Sequence, residues 1–203
     1  MTKGFVTIAT GNIWYFRIAL NLLRSYRYYS GNSYPFAIIC DRENEYTRFF
    51  DETIIMRDSL KSCADKIALP DYIPYDETIF IDADCLVYRD INNYWDCFSD
   101  ASPFSVFGSE YPVHSLDGWF KISETGKYMD SISYIPEFSG GVYYLRKGKE
   151  LDSFAATSKD ILDHYADYKF RFFTKPADEP IFSLAMAVHQ FRTAGDKSVP
   201  VAI

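Results

Sequence analysis

Thr78-Ile79-Phe80-Ile81-Asp82-Ala83-Asp84-Cys85-Leu86-Val87 decides how this chain is read. An apolar run rich in β-branched and aromatic residues climbs to two acids and then turns apolar again. Thr78–Ile81 predicts a buried strand in a sheet covered on both faces. Acids are rarely buried unpaired, so Asp82 and Asp84 require a compensating charge. They are two apart, and in extended backbone both side chains point to one side. Two hard oxygen ligands there make a seat for Mg²⁺ or Mn²⁺. The alternative is a strand that simply ends in a polar turn.

Upstream, the pattern alternates. Phe5–Thr10 predicts a strand, Gly11-Asn12 a turn with Asn12 as N-cap, and Phe16, Ala19, Leu20, Leu23 and Tyr26 recur at helical spacing. Gly31 sits where a helix stop is expected. Pro35–Cys40 predicts a second strand ending at Asp41. A polar helical stretch over Arg42–Phe50, a strand over Thr53–Met56 and a helix over Ser59–Leu69 precede the opening run. Such alternation implies an α/β fold with a mostly parallel central sheet and helices on both faces. Ligands in such sheets bind outside the carboxyl ends of the strands, where Thr10, Asp41, Asp82 and Asp84 all fall.

Downstream the period changes. Asn92–Phe98 predicts a short helix and Phe104–Gly108 a strand. Ser109–Pro136 is a long aperiodic stretch carrying His114 and Trp119, read as a binding loop or a small helical insertion. Phe138–Leu145 predicts a strand entered through Gly140 and Gly141, a pair suited to a tight bend or a close approach to a ligand. Helices are expected over Glu150–Tyr165 and from Asp178 to Phe191, the latter opened by two acids and Pro180. Ser198–Ile203 reads as a strand cut short.

Composition sets bounds. At 203 residues and 48% hydrophobic the chain reads as one folded domain. Its 28 acids against 21 Lys and Arg give a net charge of −7, which argues against a nucleic-acid partner. A small anionic ligand is still allowed, because a bound metal reverses the local sign. Cys40, Cys63, Cys85 and Cys97 show no C-x-x-C spacing, so they read as reduced thiols of a cytoplasmic protein. No signal peptide is evident, and no apolar run approaches the ~20 residues of a transmembrane segment.

Four elements, in this order, carry a resemblance: the Phe5–Thr10 strand with its helix, Lys66 ahead of Tyr75–Val87, Phe138–Val142, and Asp178-Glu179. The chain resembles nucleotide-sugar glycosyltransferases of the GT-A fold, of the glycogenin and family-eight galactosyltransferase type. That resemblance implies a single catalytic domain over residues 1–203, with a nucleotide-binding half (1–100) and a donor-sugar and acceptor half (101–203). It implies a hexosyltransferase that depends on Mn²⁺ or Mg²⁺, with a UDP-sugar donor and a carbohydrate, lipid-linked or protein acceptor. Asp84 would bind the metal directly, and Asp82 would reach the metal or the ribose. Ile8, Ala9 and Thr10 would line the base and ribose, and Lys66 would steady the diphosphate; Asp41, ending the second strand, would face the base or serve only in the turn. Ser139, Gly140 and Gly141 would approach the donor sugar beside Asp82-Ala83-Asp84.

Three departures from the family pattern matter. Phe-Ser-Gly-Gly-Val stands where the family tends to have Phe-Asn-Ser-Gly-Val. Asp178-Glu179 stands for Asp-Gln, so Glu179 is a candidate nucleophile or base, or only a first-turn acid. The family's C-terminal His-x-x-Gly-x-x-Lys-Pro-Trp signature is absent, and with it the third metal ligand. His164 and His189 read as ordinary helix residues, which leaves His114 as the candidate replacement. Two other readings compete: a haloacid-dehalogenase-like phosphatase with Asp82 as nucleophile, and a sugar-nucleotide-binding domain without turnover.

Overall fold

The computed structural model describes residues 1–113, 127–168, 170, 173, 175–195 and 201–202. His114 and Trp119 lie outside them. The first strand, β1 (Lys3–Ala9), is followed by helix α1 (Ile13–Ser30). The side chain of Asn12 caps the helix by accepting from the Trp14 amide at 2.9 Å, and Gly31 ends it at φ 67°. Phe16, Ala19, Leu20, Leu23 and Tyr26 form its buried face, as their spacing predicts. Strands β2 (Phe36–Cys40), β3 (Glu52–Ile55) and β4 (Glu77–Ile81) complete the first half. The second half brings β5 (Leu86–Val87), α3 (Tyr94–Cys97), β6 (Phe104–Pro112), β7 (Tyr134–Arg146), α4 (Lys149–Asp163), α5 (Tyr165–Tyr168) and α6 (Asp178–His189). Helix α2 (Leu69–Tyr72) precedes β4, and β8 (Val201–Ala202) pairs with β5.

The main sheet has the order β3-β2-β1-β4-β7-β6. The pairs β3-β2, β2-β1 and β1-β4 are parallel, while β7 runs against both of its neighbours. Five of the six strands therefore share one direction. Alternate residues of each strand feed two cores. Val6, Ile8 and Phe80 pack with α4 and α6 residues such as Phe154 and Phe182, whereas Phe5, Ala9, Ile79 and Ile81 pack under α1 with Phe16 and Leu23. This is the two-faced burial expected of strands covered on both sides. Among the described residues no helix is long and apolar enough to cross a membrane.

Two predicted helices are corrected. Arg42–Phe50 forms only a 3-10 turn at Thr47–Phe49. The Asn44 side chain accepts from the Tyr46 amide, and the Thr47 hydroxyl bonds both ways with Asn44, so local side-chain bonds displace the helical ladder. Ser59–Leu69 becomes a 3-10 segment at Cys63–Ala68 that runs into α2. The aperiodic stretch also shrinks, because β6 extends to Pro112 and β7 begins at Tyr134.

The register of β6 and β7 jumps between Val106↔Tyr143 and Gly108↔Phe138. Phe107 alone faces Ser139–Val142, a bulge of three extra residues beside the end of β4. A Cβ at Gly108 would run into the backbone carbonyl of Glu137. Gly108→Ala is expected to destabilise the chain by about 1–3 kcal/mol, the usual cost of forcing volume into a packed site, read as a lower urea midpoint.

Candidate active site

Asp82 follows the last residue of β4. Its amide donates to the Gly141 carbonyl at 2.9 Å, and its carbonyl accepts from Cys85 at 3.0 Å. The acids therefore sit on a tight turn and not on extended backbone, which corrects the expectation that both point to one side of a strand. Asp82 is half-buried and Asp84 is exposed. Ala83 between them is buried and lines the cavity described below.

Lys66 is the hub. Its ammonium lies 2.5 Å from Asp82 Oδ2, 3.2 Å from Asp178 Oδ2 and 3.4 Å from the Gly140 carbonyl. Three donors meet three acceptors. Burial works against the Lys66 charge, but the carboxylates of Asp178 and Asp82 outweigh it and raise its pKa. Asp178 opens α6 at 2% exposure and also accepts from the Tyr143 hydroxyl. Burial, and then the Asp178 charge, push the Tyr143 hydroxyl far up, so it stays a donor. Glu179 beside it is half-buried, and burial followed by repulsion from Asp178 raises its pKa. Gly140 makes room for both acids: a Cβ there would lie 2.9 Å from Glu179 Oε1 and 3.0 Å from Asp178 Oδ2.

Beside this cluster lies a cavity of about 230 Å³ bordered by Ile8, Thr10, Tyr15, Lys61, Asp65, Lys66 and the Asp82–Asp84 turn. Asp65 shapes one wall. It is 3% exposed and accepts from Thr10 Oγ1 at 2.7 Å, Ser59 Oγ at 2.8 Å, the Leu60 amide at 2.5 Å and the Lys61 amide at 3.1 Å. These bonds replace the predicted helix start and hold Lys61 at φ 55°. The Lys61 side chain crosses Gly11, and among the described residues it makes no ion pair.

The expected site residues separate into groups. Ile8, Thr10, Lys66, Asp82, Ala83 and Asp84 border one cavity. Gly140 and Asp178 reach it through Lys66, and Glu179 stands beside Asp178. Ser139 is exposed on the bulge, and a Cβ at Gly141 would stand at ordinary contact distance from Cys85 Sγ. Ala9 points into the core under α1. Asp41 pairs with Arg42 at 2.8 Å, and Arg42 donates to the Gly11 carbonyl, so Asp41 braces the turn behind the cavity. His164 bonds Asp160 and His189 bonds Thr157, the ordinary helix roles expected of them. Burial pushes the thiols of Cys40 and Cys85 up to about 11 and about 12, which leaves them inert packing groups. Among the described residues no three His, Cys, Asp or Glu side chains cluster to hold a metal. Tyr15, Lys61 and Asp65 escaped the sequence reading. Tyr15 hid in the first turn of an amphipathic helix, and Asp65 in a stretch read as helical.

Folded Glu179 holds its proton more tightly than the unfolded chain does. The folded state is therefore penalised as pH rises from the unfolded carboxylate pKa, about 4.3, through the higher folded value, and the penalty persists at neutral pH. Glu179→Gln should melt higher than the parent at neutral pH, with the gap closing on acidification, as followed by thermal denaturation across that range.

No protein-family model matches the chain, and no curated protein does. Solved structures do share its fold. The galactosyltransferase LgtC, in complex with donor and acceptor sugar analogues, superposes with a TM-score of 0.59 at 14% identity, over 91% of this chain and 70% of LgtC. An active-site mutant of LgtC aligns at 16% identity and a TM-score of 0.59, over 89% of this chain and 69% of that one. The apo-form glycosyltransferase GlyE of Streptococcus pneumoniae TIGR4 aligns at 13% identity and a TM-score of 0.60, over 95% of this chain but 45% of GlyE. The chain has the α/β fold of the GT-A glycosyltransferases.

Proposed function

We propose that the chain is a glycosyltransferase moving a sugar from a nucleotide-diphosphate donor, a UDP-sugar by analogy with the family it resembles, to a carbohydrate, lipid-linked or protein acceptor. One observation carries this reading. On a GT-A fold, Thr10, Lys61, Lys66, Asp82 and Asp84 border a single cavity at the carboxyl ends of β1 and β4. Residues 1–100 would supply the nucleotide side, and the β7 bulge with α6 the sugar side.

Asp84 and Asp82 are the residues that would hold Mn²⁺ or Mg²⁺. Their surroundings fit a cation. Burial and then the Asp82 charge raise the Asp84 pKa, and among the described residues no ion pair offsets it. Two carboxylates suffice for such an ion when diphosphate oxygens and water complete its shell. Once bound, it would neutralise charge on the departing nucleoside diphosphate.

The chain's own groups divide the remaining work. Lys66 spends its donors on Asp82, Asp178 and Gly140, so its part is to hold the two acids in place. Lys61 has no such commitment and is the cation assigned to the diphosphate, in place of Lys66. Tyr15 offers a ring to the nucleoside beside Thr10 and Ile8. Glu179 is the candidate base or nucleophile, with Asp178 anchored by Tyr143 and Lys66 behind it. Its raised pKa suits proton transfer. A structure of LgtC with an active-site mutation also belongs to this fold. The phosphatase reading needs Asp82 free to attack, and here Asp82 is bound to Lys66.

Thermal shift tests the reading. UDP with Mn²⁺ should raise the melting temperature, UDP alone should do so much less, and Asp84→Asn should abolish the metal-dependent part. No shift with UDP or GDP in Mn²⁺ would sink the proposal. Stabilisation without hydrolysis or transfer of any UDP-sugar would instead identify a binding domain. Lys61→Ala is expected to weaken UDP about tenfold, the loss of a charge-assisted hydrogen bond, while leaving uridine unaffected. Titration calorimetry separates the two ligands.

A further inference from the structure

Helix α1 presents an outward stripe of Trp14, Arg17, Asn21, Arg24 and Tyr28, all exposed. These positions recur every three or four residues, so they share one face. At 1.5 Å per residue the stripe is about 21 Å long. Its ends are aromatic: Trp14 is 55% exposed and Tyr28 81%, with Tyr15 and Tyr29 beside them. The helix carries Arg17, Arg24 and Arg27 and no acid, in a chain of net charge −7. Arg27 is spent on Asp51 at 3.4 Å. Arg17 lies over the Trp14 ring at 5.5 Å, and among the described residues neither Arg17 nor Arg24 has an ion pair.

We infer that this face of α1 seats the protein on an anionic lipid surface. Exposed rings at both ends of a helix with arginines between them match the chemistry of an interfacial helix. The rings enter the headgroup region, and the guanidinium groups pair with lipid phosphates. A second copy of the chain fits less well, since apposing this face with itself would set arginines against arginines. Nucleic acid fits less well too, because two free arginines neutralise few phosphates. The contact is reversible, as expected for a single basic helix face acting alone. Tyr15 belongs to the first turn of α1 and borders the cavity, so the seat lies next to the candidate site. The inference does not depend on the reaction proposed there.

Cosedimentation with vesicles decides it, using the 203-residue protein with phosphatidylcholine alone or mixed with phosphatidylglycerol. The parent should bind the mixed vesicles, ignore the neutral ones and be released by salt. Arg17→Glu with Arg24→Glu should lower binding at least about tenfold and melt at the parent temperature. Trp14→Ala should weaken binding without changing its salt dependence. The inference is overturned if the parent does not bind anionic vesicles, if the double variant binds as the parent does, or if the double variant only dissociates a dimer. If the double variant proves unstable, Trp14→Ala decides alone, and unchanged binding by it rejects the seat.

Discussion

Everything at the carboxyl end of this sheet depends on one buried ammonium. Lys66 comes from an irregular 3-10 segment and ties together the turn after β4, the first residue of α6 and the bulge of β7. Desolvating a lysine is unfavourable, and two carboxylates and a carbonyl offset it only while all are in place. The clamp therefore specifies geometry more than it adds stability. It also leaves the site out of electrical balance. Around one cation stand Asp82, Asp84, Asp178 and Glu179, and burial first, then the neighbouring carboxylate, raises the pKa values of Asp84 and Glu179, the two that Lys66 does not hold. A ligand that brings cations, or a diphosphate accompanied by one, relieves that imbalance. A bare anion worsens it everywhere except near Lys61.

What was legible in the sequence was whatever repeats along the chain. The strands and α1 announce themselves because burial follows the backbone period, and Asn12 and Gly31 mark the helix ends with local chemistry. The carboxyl-end position of Asp82 and Asp84 follows from strand order alone. What was hidden depends on partners far away in sequence. The turn at Asp82 is fixed by a bond to Gly141, and the loss of the Ser59–Leu69 helix is fixed by Asp65 gathering Thr10, Ser59 and two amides. A local reading sees Asp65 as one more acid on a helix. Only the fold brings Thr10 to it across 55 positions. The length of β6 was missed for a related reason: Ser109–Pro112 is only half covered and carries no alternation.

The two departures near the donor-sugar side, Gly140 for Ser and Glu179 for Gln, looked independent in the sequence. In the structure they touch. A Cβ at position 140 would crowd Glu179 Oε1, Asp178 Oδ2 and the Tyr143 hydroxyl, all at 2.9–3.0 Å. The glycine is therefore a condition for the carboxylates to stand where they do, inside a bulge that exists because β7 carries three more residues than β6 across that interval. A serine there would have to displace an anion held from behind by Lys66 and Tyr143. Glu179 is not itself gripped by the clamp, so it is the group that would move. The same freedom, together with a proton held more tightly than usual, is why the proposed reaction assigns proton exchange to Glu179 rather than Asp178.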